Sequence, residues 1–143
     1  MMIKQLSIFL ENKKGRLAQV ANTLAKCKIN IRALSLADSA DFGVLRLIVN
    51  DSARGAACLK KAGMVVHVTD VIAIEVSDKP GGLGRILNLF DRAAINVEYM
   101  YAFVEKIRDS AVVIFKIENP AKAIKILKKE GVPLVHSNVL KQL

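Results

Sequence analysis

The chain repeats itself, and the repeat limits its fold more than any other feature. Placing residue n on residue n+66 brings Ile8 onto Ile74, Lys13 onto Lys79, Gly15 onto Gly81 and Leu17 onto Leu83. Asn22 then meets Asn88, and Ile29-Asn30-Ile31 meets Ile95-Asn96-Val97. After a two-residue step the register resumes at n+68, where Val44 meets Val112, Leu59-Lys60-Lys61 meets Leu127-Lys128-Lys129, and Gly63 meets Gly131. Two copies are too few for a solenoid, so each must be a unit with its own core. The halves run over residues 1–70 and 71–143, with no Gly-, Ser- or Pro-rich linker between them.

Each copy reads as the same order of elements. Leu6, Ile8 and Leu10 alternate with Gln5, Ser7 and Glu11, and Ile72, Ile74 and Val76 alternate with Ala73, Glu75 and Ser77. That is the period of a strand. A polar loop with glycine follows, ENKKG and then SDKPGG. Leu17, Val20, Ala21 and Leu24 next fall on one helical stripe, as do Leu83, Ile86, Leu87 and Phe90. Second strands begin at Ile29 and Ile95, and third strands cover 44–49 and 112–117.

A second helix starts near Ser52, capped by Asp51 or Ser52, and near Pro120, where Asn119 caps and proline takes the first helical position. Gly63 and Gly131 end these helices, as residues with positive φ do. Short fourth strands are expected from Val65 to Val68 and from Leu134 to Val135. The order β-α-β-β-α-β, twice over, is an α+β chain of two ferredoxin-like units. Each has an antiparallel four-stranded sheet with two helices on one face.

Composition narrows the function classes. With 52% hydrophobic and 24% charged residues, long disordered stretches are not expected. No apolar run nears the roughly 20 residues that a membrane-spanning helix needs. The N-terminus MMIKQLSIFL lacks the apolar block of a signal peptide, so a cytoplasmic protein is expected, with no membrane contact. Cys27 and Cys58 both lie in helical sequence and are expected to be reduced thiols. The net charge of +9 comes from lysines scattered over helix faces, which reads as solvated surface before it reads as an anion patch.

Alternation assigns the sheet faces. Leu45, Leu47, Val49 and Val113, Phe115, Ile117 are expected toward the helices. Val44, Arg46, Ile48 and Val112, Ile114, Lys116 point the other way, with Leu34, Leu36 and Met100. That second set is too apolar for a wet face, so it is expected to be covered, within the chain or in a dimer. Tyr99, Tyr101 and Phe103 are expected to face the helices. Only Thr69-Asp70 joins the halves, and two residues span at most roughly 7 Å. The halves therefore share a continuous strand, stack, exchange strands or pair edges between subunits.

The loop before each first helix carries the chemistry. Glycine lets a backbone turn tightly and a ligand approach closely. The free N–H groups of the helix start, with the helix dipole, favour an anion such as a carboxylate. Asp78, or Asn12 in the first copy, can receive an ammonium group. Asn30 and Asn96 open the second strands with both donor and acceptor groups. Together these groups suit a free amino acid.

Asp78, Pro80-Gly81-Gly82-Leu83 and Ile95-Asn96-Val97-Glu98 resemble the ACT domain pattern. ACT domains are small ligand-binding regulatory modules of this fold, attached to aspartate kinase, phosphoglycerate dehydrogenase and other enzymes of amino-acid metabolism. The resemblance covers nearly the whole chain as two tandem copies with no enzyme attached. In the first copy Gly15 and Leu17 remain, but Asn12 stands for the aspartate, Lys14 for the proline and Arg16 for the second glycine. The resemblance implies sites between ACT units, the glycine loop of one facing the second-strand region of another. It implies a regulator of a partner enzyme. The apolar open face and the second-strand edges lead to the expectation of a homo-oligomer such as a dimer, and the residues carry no pattern for catalysis or a cofactor.

Other classes find less support. His67 and His136 are not repeat-equivalent, and no C-x-x-C or H-x-x-x-H pair suggests a metal. An RNA-binding protein of ferredoxin-like fold is the alternative, because the charge fits. Such modules stack bases on aromatics of the central strands, where this chain has Val44, Arg46, Ile48 and Val112, Ile114, Lys116.

Overall fold

The computed structural model describes residues 2–38 and 41–142. Its contacts separate Lys4–Thr69 from Asp70–Val139, and each unit has its own core. The first contains β1 (Ile3–Glu11), α1 (Arg16–Lys26), β2 (Ile31–Asp38), β3 (Phe42–Val49) and α2 (Ser52–Lys61). β4 (Val65–Ser77) is one 13-residue strand running through Thr69 and Asp70. The short join is therefore continuous strand. The second unit continues with α3 (Gly82–Arg92), β5 (Val97–Ala102), β6 (Ser110–Ile117), α4 (Pro120–Lys129) and α5 (Ser137–Gln142). Local patterning had not marked α5, a helix too short to show a periodic stripe.

In the first unit the strands lie in the order β2, β3, β1, β4, and in the second β5, β6, β4. The fourth strand of the second unit is reduced to a bridge between Leu134 and Ile74. The Pro133 carbonyl accepts the Glu75 N–H, and the Val135 N–H donates to the Ala73 carbonyl. Proline supplies an acceptor there but no donor, which confines the pairing.

Helix starts and stops follow the local chemistry. The Asp51 carboxylate accepts the Arg54 N–H at 3.1 Å, and the Asn119 side chain accepts the Lys122 N–H at 3.2 Å. Gly63 and Gly131 have φ of 87° and 70°. Arg54 and Lys122 occupy equivalent positions in the repeat. The Arg54 guanidinium donates to the Cys27 carbonyl at 2.8 Å, and the Lys122 ammonium donates to the Ala93 carbonyl at 2.7 Å. Each places a cation on the carbonyl end of the preceding helix, where the dipole favours it.

Leu6, Ile8, Val20, Leu24, Leu47 and Leu59 form the first core. Ile72, Ile74, Ile86, Phe90, Phe115 and Leu127 form the second, with Phe90 and Phe115 edge to face at 5.5 Å. Each such side chain contributes about 1.5–3 kcal/mol by leaving water. Leu45, Leu47, Val49, Val113, Phe115 and Ile117 all belong to or pack on these cores, as alternation requires.

The second strands depart from the expected faces. Ile31 opposes Val49 but Ala33 opposes Ile48, so Arg32 is an extra residue in a β-bulge. Val97 opposes Ile117 but Tyr99 opposes Lys116, so Glu98 is its counterpart. A one-residue slip exchanges the faces of everything that follows. Leu34, Leu36 and Met100 therefore sit opposite Leu47, Leu45 and Phe115, on the helix side. Tyr99 and Tyr101 oppose Lys116 and Ile114, on the other side, and Phe103 donates its N–H to the Val112 carbonyl.

The faces turned from the helices are partly dry in the single chain, although Phe9 on that face is 47% exposed. Ala33, Ile48, Ala73, Val112 and Ile114 are buried. Gln5 is buried there too, and its amide donates to the Ser7 hydroxyl at 3.0 Å. No partner subunit is needed to cover these residues.

Cys27 and Cys58 form a disulfide, with Cα atoms 6.6 Å apart. The expectation of reduced thiols is corrected by packing. Each cysteine lies on the α1 or α2 layer, and the two helices are neighbours although 31 residues separate the sulfurs in sequence.

Candidate functional site

Both glycine loops make the same turn. The Gly82 N–H donates to the Lys79 carbonyl at 3.0 Å, and the Arg16 N–H donates to the Lys13 carbonyl at 3.3 Å. Gly81 has φ 89° and ψ −9°, and Gly15 φ 84° and ψ −9°. These are third-position angles of a type II turn, where glycine is favoured and proline commonly precedes it. Pro80 takes that preceding position. The turn then feeds a helix whose first N–H groups have no intrahelical acceptor.

One N–H of the helix start is spent. Gly82 closes the turn with its N–H and cannot also hold a ligand. The N–H groups of Leu83 and Gly84 remain without a backbone partner among the described residues, as do those of Leu17 and Ala18 in the first copy. The next ones in, Arg85 and Gln19, already donate to the Gly81 and Gly15 carbonyls. Leu83 and Leu17 are exposed, at 37% and 47%.

Gly82 is fixed for a different reason. A Cβ there would lie 2.0 Å from the Ser77 carbonyl oxygen. In the first copy Arg16 occupies this position, and the preceding Glu11 carbonyl is turned to accept the Lys13 N–H at 2.8 Å.

The acidic residue of the second loop is engaged. Asp78 forms an ion pair with Lys106, from the β5–β6 connection. Its hydrogen bond first, and its charge second, raise the Lys106 ammonium above the usual lysine value. Sequence reasoning did not single out Lys106. Its one signal was the repeat step from 66 to 68, which falls between the second and third strands. In the first copy the Asn12 N–H donates to the Asp41 carbonyl, and Lys13 pairs with Glu11 at 2.8 Å. The hydrogen bond and charge of Lys13 hold the Glu11 carboxyl below the usual range.

A cavity of about 90 Å³ adjoins the first loop, lined by Asn12, Lys13, Arg16, Leu17, Leu36 and Asp38 among others. Leu36 reaches it because the bulge turned it to the helix side.

Asn30 and Asn96 lie elsewhere in their units. Ser77 pairs with Ser110 at one end of β6, while Val97 pairs with Ile117 at the other. Asn96 thus stands at the sheet end opposite its own glycine loop. It lines a cavity of about 410 Å³ with Ile95, Glu118, Asn119 and Lys122. Asn30 is held by Asn50, whose side chain accepts the Asn30 N–H at 3.0 Å and whose N–H donates to the Asn30 carbonyl. Within one unit the structure does not unite asparagine and loop.

On the third strands Ile48, Val112 and Ile114 are buried and closed to base stacking. No helix among the described residues is long and apolar enough to cross a membrane.

The family described as ACT domain pair matches residues 1–143. The crystal structure of protein BT0572 from Bacteroides thetaiotaomicron is 41% identical, with a TM-score of 0.94, covering 100% of this chain and 98% of that one. The regulatory subunit of aspartate kinase from Thermus thermophilus, in its ligand-free form, has a TM-score of 0.63 at 13% identity, covering 88% and 91% of the two chains. That of Thermus flavus has 0.59 at 12%, covering 88% and 90%. At those identities the likeness is one of fold. A search of curated proteins gives no match.

Proposed function

We propose, from the premise that this chain belongs to the ACT domain pair family, that it is a non-catalytic sensor of a free amino acid, acting on a partner enzyme or pathway of amino-acid metabolism. One observation carries the reading. A type II turn leaves the Leu83 and Gly84 N–H groups open at a helix start, in the loop that also carries Asp78. Backbone N–H groups there hold a carboxylate, and Asp78 holds an ammonium. A charged group accepting well-aligned hydrogen bonds gains roughly 1.5–3 kcal/mol per bond. After the costs of association, such a ligand binds in the micromolar-to-millimolar range.

Thermal-shift screening against the twenty amino acids tests this directly, because a ligand of the folded state raises the melting temperature with concentration. At least one amino acid is expected to do so. In calorimetry, Asn96→Ala is expected to cost roughly 1–3 kcal/mol, through a polar contact from a facing ACT unit. Lys79→Ala should change affinity only slightly. Loss of binding in Lys79→Ala with Asn96→Ala intact would favour a lysine-held anion instead.

A second copy of the chain is the expected source of the facing unit. β2 and β5 are edge strands, and their Leu34, Leu36 and Met100 are 50%, 49% and 40% exposed on the helix side. Exposed edges with apolar neighbours favour pairing. Light scattering is expected to give about twice the 15.6 kDa chain mass. A monomer at micromolar concentration would reject the dimer.

A further inference from the structure

The β5–β6 connection holds Asp78 at two points. Lys106 pairs with its carboxylate, and the Asp109 carbonyl accepts its N–H at 3.4 Å. The connection is itself ordered. Ile107 and Ser110 exchange backbone hydrogen bonds of 3.1 and 3.0 Å around a two-residue turn, with Arg108 at φ 56°. Lys106 therefore projects from a braced hairpin end, with its ammonium on Asp78 in the loop that leads into α3.

The repeat makes this arrangement specific to the second unit. The two additional residues of the second copy fall in this connection. In the first copy the corresponding backbone bond, from the Asn12 N–H to the Asp41 carbonyl, is kept. There the loop side chain is an amide, which cannot form an ion pair.

We propose that Lys106 is a built-in competitor for the second glycine loop. Its ammonium occupies the position on Asp78 that a ligand's amino group takes, and ligand binding displaces it. This rests on the amino-acid reading above and adds its regulation: the second site opens only when Lys106 leaves Asp78. Removing Lys106 raises the fraction of competent sites, and the apparent affinity rises with that fraction. For an exposed ion pair the gain is about two- to five-fold. Raised ionic strength screens the pair and narrows the difference between wild type and variant.

The test combines binding with a readout that needs no ligand. Wild type and Lys106→Ala are screened in parallel against the twenty amino acids by thermal shift, then titrated by calorimetry. Separately, acetic anhydride labelling of the whole protein is followed at Lys106 and Lys79 by mass spectrometry. The proposal expects tighter binding in Lys106→Ala. It also expects slow labelling of Lys106 in the wild type, faster labelling in Asp78→Asn, and faster labelling again when a binding amino acid is added. Equal affinity of wild type and Lys106→Ala, or Lys106 labelling unchanged by a bound amino acid, overturns the competitor and leaves the amino-acid reading standing. If neither protein binds any amino acid while Lys106 is protected only when Asp78 is charged, the ion pair is real but the amino-acid reading fails, and the displacement fails with it.

Discussion

Gly82→Ala is expected to destabilise the second unit by on the order of 3 kcal/mol, because the added carbon has no space. It would meet the Ser77 carbonyl oxygen at 2.0 Å and the Ser77 carbonyl carbon at 3.0 Å. Both are backbone atoms at the end of β4, so no side chain can rotate aside. Relief requires moving the turn that positions the Leu83 and Gly84 N–H groups. The neighbouring glycines are controls. Gly81→Ala meets nothing within 4 Å but must keep φ at 89°, a strain of roughly 1 kcal/mol. Gly84→Ala also meets nothing within 4 Å and lies in α3, where alanine is the better helix former by roughly 0.5–1 kcal/mol. Thermal unfolding should rank the three as Gly84→Ala above wild type, then Gly81→Ala, then Gly82→Ala, with the last lower than wild type by about 10 °C or more. A Gly82→Ala melting temperature equal to that of Gly81→Ala would mean that the carbonyl yields easily. It would also mean that the loop is not braced against β4.

Reducing the Cys27–Cys58 bond is expected to cost the first unit roughly 3–4 kcal/mol, from the loop-closure entropy returned to the unfolded chain. The bond closes a separation of 31 residues and ties α1 to α2. Urea unfolding with and without reductant measures the loss, and Cys58→Ser should reproduce the reduced midpoint under oxidising conditions. The second unit supplies the internal comparison, because Ala93 and Ile126 stand at the repeat positions of the two cysteines. Its stability has no such bond to lose. Coincident midpoints with and without reductant, together with two alkylatable thiols in untreated protein, would show that the helices bring the sulfurs together without joining them.

The loops were the most legible part of the site. Pro80 and Gly81 are turn residues whose backbone preferences act over four positions, and Asp51 and Asn119 cap helices within three. What could not be read was how each donor is used. The Gly82 N–H looks free in sequence, but the same turn that needs Gly81 consumes it. Asp78 looked ready for a ligand's ammonium, yet Lys106 reaches it from 28 residues away.

The sequence by itself determined the two copies, the order of their elements up to the last helix of the repeat, the ends of those helices and the residues of both cores. All of these follow from periodicity and capping, whose physical range is one turn of helix or a few residues of strand. Only the tertiary structure decided which way the second strands face, which cysteines meet and what Asp78 holds. The reason is the same each time. A bulge at Arg32 or Glu98 exists only against its partner strand, and slipping one residue there carries Leu36 to the first loop and Tyr101 away from the helices. A disulfide or an ion pair likewise depends on where distant segments arrive, and their positions are set by the packing of the sheet and helix layers.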